Sequence, residues 1–320
     1  MKTPNILKLS LFLILGLMMI GSNPSIGQEK SGFIEVDQNI SLHYRITGNG
    51  TDTLMVADVG WFYPYIKENG KNLTYIVYDV RDRGHSQAID DPSLISMEHE
   101  IADLEKVRQF FNIDKMNVAG WSYLGGMVAL YAAQYPNHVH SIVQVGPISC
   151  RKEGYWDALL EDRMQRQDSI LNKKVATMKS QGLDKTDPEA FCKAYWEAVM
   201  VSIIADRNRC GEFADKMPYT CPNEWPENLS MGYIIAKLGD WDWSEQIKSI
   251  RTRSLIAHGV HDNIPMESSK EWAGLMANSR ILSFQNSGHM PMAEEPAKFF
   301  SSVEQFVKGH WPEGVVSYHQ

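Results

Sequence analysis

The sequence predicts an α/β protein with a mostly parallel central sheet, helices on both faces and one long helical insertion. Three observations carry that expectation. Short apolar runs rich in Val, Ile and Tyr alternate with helical periods through residues 53–145 and again through 254–308. Strands of that kind are buried on both sides, which places helices above and below them. Between the two stretches, residues 150–247 show helical periods, more charge, Met and Trp, and no strand signal. The chain has 320 residues, 43% of them hydrophobic, enough for one large core with an insertion.

The elements follow in chain order. Lys2 and Lys8 precede an apolar stretch at 9–20, then small and turn-forming residues up to Ser25-Ile26-Gly27. A charged start, a short apolar region and a small-x-small site read as a secretory signal peptide, 1–27. Twelve helical residues reach only about 18 Å, short of a hydrocarbon core of roughly 30 Å. The expectation is therefore an exported protein, periplasmic or secreted, with no stable membrane insertion after cleavage. Strands are expected at 33–36 and 40–46, joined by a turn at 37–39, and at 53–57 (TLMVA) and 75–78 (YIVY). A short helix falls at 64–72, and apolar residues at Met97, Ile101, Leu104, Val107 and Phe111 predict another within 96–112. A strand at 116–119, a helix at 127–135 that stops before Pro136, and a strand at 139–145 complete the first half. The insertion holds helical periods at 158–178 and 188–204. The alternation resumes with a strand at 254–257, a helix at 267–276, a strand at 280–284 and a helix at 296–308. The expected domains are a core of 28–149 and 248–320 carrying a helical cap of 150–247.

Formal net charge is −8 with no Lys/Arg-rich run, which disfavours nucleic acid as a partner. All four cysteines, Cys150, Cys192, Cys210 and Cys221, fall near or within the insertion, and none has CxxC spacing. They suit disulfides in an oxidising compartment or buried thiols, and they leave the pairing open. His99-Glu100 lacks the second histidine of a zinc helix. No metal and no organic cofactor is expected.

The chemistry gathers at three loops. Gly120-Trp121-Ser122-Tyr123-Leu124-Gly125-Gly126 lies between a strand and a helix. A serine in so sharp a turn is pushed out at the carboxyl edge of the sheet, above a helix N-terminus that favours negative charge. A hydroxyl needs a base, and the base an orienting carboxylate. Asp262 follows the strand at 254–257, and His289 follows the strand at 280–284, so both reach the same edge. His258, beside the acid, suits a packed core or turn residue rather than a catalytic part. Asp79, Arg81, Asp82 and Arg83, after another strand, suit a structural turn.

These segments resemble the α/β-hydrolase family over roughly residues 33–309, through VYDVRDRGHS (77–86), GWSYLGGMVALYAAQYP (120–136), SLIAHGVHDNIP (254–265) and SGHMPMAEEPAKFF (287–300). Within it the chain is similar to the proline iminopeptidase branch, whose helical cap is inserted at the same place. The resemblance implies Ser122 as nucleophile, Asp262 as orienting acid and His289 as base, and release of an N-terminal residue from short peptides. It implies an oxyanion hole from the N–H of Tyr123 and of Gly60 or Trp61. A serine nucleophile argues against the aspartate-based chemistry of epoxide hydrolases. The branch holds the free amine with cap carboxylates, for which Glu224 is the candidate. Two departures stand out: Leu124 replaces the second glycine of GxSxG, and Ala57-Asp58-Val59-Gly60-Trp61-Phe62 replaces HGGPG. The second favours a carboxylesterase of small esters as the alternative, with a non-catalytic binding protein as a third reading. The tryptophans of the insertion, Trp156, Trp196, Trp225, Trp241 and Trp243, are expected mostly to hold it to the core, the other role open to them being a pocket wall.

Overall fold

The computed structural model describes residues 30–37, 39–217 and 231–319. Its sheet has eight strands: β1 (Lys30–Asp37), β2 (Ile40–Gly48), β3 (Thr53–Asp58), β4 (Thr74–Asp79), β5 (Met116–Trp121), β6 (Val139–Val145), β7 (Arg253–Gly259) and β8 (Ser279–Phe284). Their order is β1-β2-β4-β3-β5-β6-β7-β8. Both β1–β2 and β2–β4 are antiparallel, and every later pairing is parallel. Burial follows from position. The edge strand β1 alternates exposed and buried residues along its second half, whereas β3, β4 and β7 are buried on both faces after their first residue.

Around the sheet lie α1 (Tyr63–Asn69), α2 (Met97–Phe110) and α3 (Tyr123–Gln134). Between β6 and β7 come α4 (Trp156–Arg166), α5 (Ser169–Ser180), α6 (Leu183–Thr186), α7 (Pro188–Ile203), α8 (Cys210–Ala214), α9 (Met231–Leu238) and α10 (Ser244–Ile247). The set closes with α11 (Met266–Leu275), α12 (Pro291–Glu294) and α13 (Pro296–Val307). The single helix expected over 158–178 is in fact two. Asp168 breaks it, because its carboxylate accepts the N–H groups of Ile170 and Leu171 at 2.8 and 3.0 Å and so caps a new start. Helix α3 begins at Tyr123, four residues before the expected start, since the turn at Ser122 feeds straight into it.

The charged turn after β4 is a brace. Arg81 grips Asp103 of α2 through two hydrogen bonds of 2.6 Å, and Arg83 donates to Glu100 at 2.8 Å, all within the interior. Paired in this way the buried charges hold α2 against the sheet; removing one partner would leave the other uncompensated. Burial raises the Glu100 carboxyl to about 7, with the Arg83 charge acting against it.

Indoles hold the insertion to the core. Trp241 donates to the Ser149 carbonyl at 3.0 Å, Trp243 packs over Gly126, and Trp196 meets Trp61 edge-on with ring centroids 4.8 Å apart. Trp156 instead lines a cavity, and Trp225 lies outside the described residues. Cys192 is disulfide-bonded, Cys150 and Cys210 are free thiols, and Cys221 lies outside the described residues. So do residues 1–27, expected as a signal peptide. Among the described residues no helix is long and apolar enough to cross a membrane.

Candidate active site

Parallel strands deliver their carboxyl ends to one edge, and the loops after β3, β5, β6, β7 and β8 meet there. Ser122 links β5 to α3 with φ 58° and ψ −125°, one of four non-glycine residues with positive φ among the described residues. L-residues adopt that conformation only when their surroundings impose it. Three hydrogen bonds impose it. The Ser122 N–H donates to the Val145 carbonyl at 2.8 Å, and its own carbonyl accepts the N–H groups of Gly125 and Ile148 at 2.9 and 3.1 Å. A Cβ on Gly120 would lie 2.2 Å from the Leu124 carbonyl oxygen, so the turn closes only over glycine. This also explains Leu124. Its side chain is buried in the core, and the close approach falls one residue later, where a Cβ on Gly125 would lie 3.1 Å from Pro147, just past β6, and 3.2 Å from the Gly120 carbonyl oxygen of β5.

Asp262 and His289 come together as a pair. Nδ1 of His289 lies 3.0 and 2.9 Å from the two carboxylate oxygens of Asp262, and both residues are buried. Donation of Nδ1–H to the carboxylate leaves Nε2 with its lone pair. Burial alone would raise the Asp262 carboxyl. The charge and hydrogen bond of His289, with His258 and the Ile264 N–H, outweigh it and hold the group below its usual range. His258 is a buried residue of β7 and hydrogen-bonds Ser269 at 2.8 Å, a packed core residue rather than a catalytic part. The main chain of His289 is held at both ends: its N–H donates to the Ile203 carbonyl at the end of α7, and its carbonyl accepts from the Trp121 indole, both at 2.7 Å.

Two supporting residues escaped the sequence. Gly146, just past β6, has φ +47°, and a Cβ there would lie 2.8 Å from Asp262 Oδ2 and 2.9 Å from His289 Nδ1. Glycine at this point keeps the acid and the base in contact. Glu294 accepts the N–H of Gly288 at 2.8 Å and of Ala205 at 2.6 Å, tying the histidine loop to the insertion. A glycine closing a buried parallel strand was a usable signal for the first. The second joins residues 89 apart in sequence and left none.

The loop after β3 is stitched by Asp58. Its carboxylate accepts four main-chain N–H groups, from Val59, Trp61, Phe62 and Tyr63, at 2.8–3.1 Å. Trp61 is corrected as an oxyanion donor on this ground, because its N–H is committed to Asp58. The Gly60 N–H is the one skipped, and neither it nor the Tyr123 N–H has an acceptor among the described residues. Burial and the Asp79 charge raise the Asp58 carboxyl, while the N–H bonds and Arg45 act against that.

Ser122, Tyr123 and His289 line one cavity of about 80 Å³, with Trp61, Trp121, Ile148, Trp156, Leu159, Arg163, Ile203, Ile235, Asn263 and Ile264 as the rest of its wall. Core and insertion each supply part of that wall. Glu224 lies outside the described residues.

A strained serine on a strand–helix turn, beside a histidine–aspartate pair on the next strand ends of a mostly parallel sheet, decides the architecture. The chain adopts the α/β-hydrolase fold. Residues 50–183 match the family model described as alpha/beta hydrolase fold. Among curated proteins the chain is similar to the proline iminopeptidase of Heyndrickxia coagulans, 23% identical over 86% of this chain and 98% of that one. It is likewise similar to that of Saccharolobus solfataricus, at 22% over 82% and 87%. Solved structures agree on the fold. An α/β fold family hydrolase from Bacillus anthracis superposes with a TM-score of 0.63 at 24% identity, covering 88% of this chain and 98% of that one. The proline iminopeptidase of Mycobacterium smegmatis gives 0.63 at 18% over the same shares. The α/β-hydrolase fold thus spans the described chain, including the inserted helical region.

Proposed function

We propose that this α/β-hydrolase-fold chain is a serine hydrolase that cleaves an amide or ester of a small substrate through an acyl-enzyme on Ser122. The observation that carries the reading is the shared cavity: the strained Ser122 faces the same space as His289, whose Nδ1 is fixed on Asp262. In the first half-reaction, Nε2 of His289 takes the Ser122 proton as Oγ attacks the carbonyl carbon. The N–H groups of Tyr123 and Gly60 hold the oxyanion, and Asp262 stabilises the imidazolium. His289 then protonates the leaving amine or alcohol, and water releases the acyl group by the same route.

The relatives' names support an aminopeptidase that frees an N-terminal residue, proline among them. A second reading, hydrolysis of small esters, is favoured by the cavity itself. Among the described residues no carboxylate lines it to hold a free amine, and the one guanidinium that does is that of Arg163. A proline naphthylamide assayed beside short p-nitrophenyl esters separates the two. Amide turnover supports the peptidase; strong ester turnover without it removes the peptidase. Loss of both with an intact fold would sink the hydrolase. Export is part of the proposal, resting on the residue pattern of 1–27 and supported by the disulfide at Cys192, a bond that persists in oxidising compartments. A mature N-terminus at Gln28 is the expected result of sequencing the native protein; one at Met1 would contradict it.

A further inference from the structure

Among the described residues Arg163 on α4 is the one cation of the insertion that lines the Ser122 cavity. Three residues on, Arg166 pairs with Asp162 at 2.6 Å, and on α8 Glu212 takes two hydrogen bonds of 3.0 Å from Arg209. Arg163 has no ion pair or hydrogen bond among the described residues, yet it lines the Ser122 cavity. It also lines a neighbouring groove of about 480 Å³, together with the polar side chains of Gln167, Asn172, Tyr195 and Ser202. Among the described residues neither lining contains a carboxylate. Arg163 keeps an exposed surface that a ligand can reach; desolvation by the protein around it lowers its pKa, and the Tyr195 phenol rather than an acid acts against that. Among the described residues this cation is an open half of an ion pair. Its planar fork of N–H donors matches a carboxylate held by two parallel hydrogen bonds.

We propose that Arg163, with Tyr195 beside it, forms a carboxylate subsite where the Ser122 cavity meets the groove. The substrate class is then a short ester or amide carrying a free carboxylate a few bonds from the scissile carbonyl. The shortness follows from the cavity of about 80 Å³ that Arg163 shares with the nucleophile. The subsite sharpens the hydrolase reading above and rests on it. It selects by charge: a carboxylate is drawn to the mouth of the site, and a free ammonium at the same position is repelled.

The test is the ratio of kcat/KM for matched substrates that differ only in a carboxylate. On the acyl side the pair is mono-p-nitrophenyl adipate and its methyl ester. On the leaving side it is the butyryl esters of 4-hydroxybenzoate and of methyl 4-hydroxybenzoate. In the native enzyme at least one pair is expected to favour the acid by about tenfold or more, an effect that weakens with added salt. In Arg163→Gln that ratio falls to near one, and Arg163→Lys restores part of it, because the charge returns without the fork. A ratio near one in the native enzyme for both pairs, or a preference for the acid untouched in Arg163→Gln, would overturn the subsite. Fluorophosphonate labelling at Ser122, run in parallel, keeps the two readings apart. Labelling with no carboxylate preference strikes the subsite alone, whereas no labelling strikes the serine mechanism and the subsite with it.

Discussion

The two walls of the cavity are held in different ways. On the core side the reacting groups sit on turns whose shape is set by main chain. Ser122 is strained into place over Gly120, Gly146 leaves room for the Asp262–His289 contact, and Asp58 gathers the loop after β3 by four N–H groups. On the insertion side the wall is made of side chains projecting from helices: Trp156, Leu159 and Arg163 from α4, Ile203 from α7 and Ile235 from α9. The difference teaches a division of labour. Geometry that chemistry needs is written into backbone, and a few residues at the turns hold it there. Selectivity is written into side chains, which can vary without disturbing the turns. The walls also meet at the histidine loop, where Ile203 and Ala205 of the insertion bond to His289 and Glu294.

That contrast can be broken from either side, and the core is where breaking should cost most. Gly146→Ala puts a methyl group within 3 Å of both Asp262 and His289. Activity should fall by about 10³–10⁴-fold, the scale of losing the orienting carboxylate, with near-native circular dichroism; a fall below tenfold would show that the glycine is not needed there. Asp58→Ala releases the loop that carries the Gly60 N–H. A loss of about 10²–10³ in kcat is expected, as for removal of one oxyanion donor, and steady-state kinetics should show KM changing far less. An effect confined to KM would move the oxyanion role elsewhere.

At the seam between the walls, Glu294→Gln should lower kcat by about tenfold, on the order of the 1–1.5 kcal/mol of one net hydrogen bond. It also carries a pH signature. Burial raises the Glu294 carboxyl to about 7 against the N–H bonds of Ala205, Gly288 and Met290, so the folded chain holds this proton more tightly than the unfolded chain. Its contribution to stability is complete below about 4.5 and is lost as pH rises through about 7. Urea unfolding at pH 5 and pH 8 should therefore show the wild type losing stability relative to Glu294→Gln; equal differences at both would contradict this. On the insertion side proper, Leu159→Ala should change KM a few-fold and kcat little, since it widens the pocket without touching a reacting group. A large kcat effect would erase the distinction between the walls.

The same division decided what the sequence could tell. Strands β3–β8 and the placement of Ser122, Asp262 and His289 were legible because strand periodicity, glycine spacing and chain order are local signals. The Asp58 stitch was not, since an acid ending a strand says nothing of how many N–H groups will turn toward it; hence Trp61 stands beside Gly60 as a candidate donor in the sequence. Gly146 was visible as the end of a strand but not as the neighbour of a pair more than a hundred residues downstream. The insertion was readable as helices and no further. Its break at Asp168 is a capping choice that periodicity hides, and the facing of Arg163 toward Ser122 exists only after folding.

The central claim is that Ser122 is the nucleophile, and intact-protein mass spectrometry after treatment with a fluorophosphonate tests it most directly. The account predicts one adduct per chain, mapped to Ser122 by peptide analysis and absent from Ser122→Ala. An unlabelled wild type, or an adduct that persists in Ser122→Ala, would contradict it.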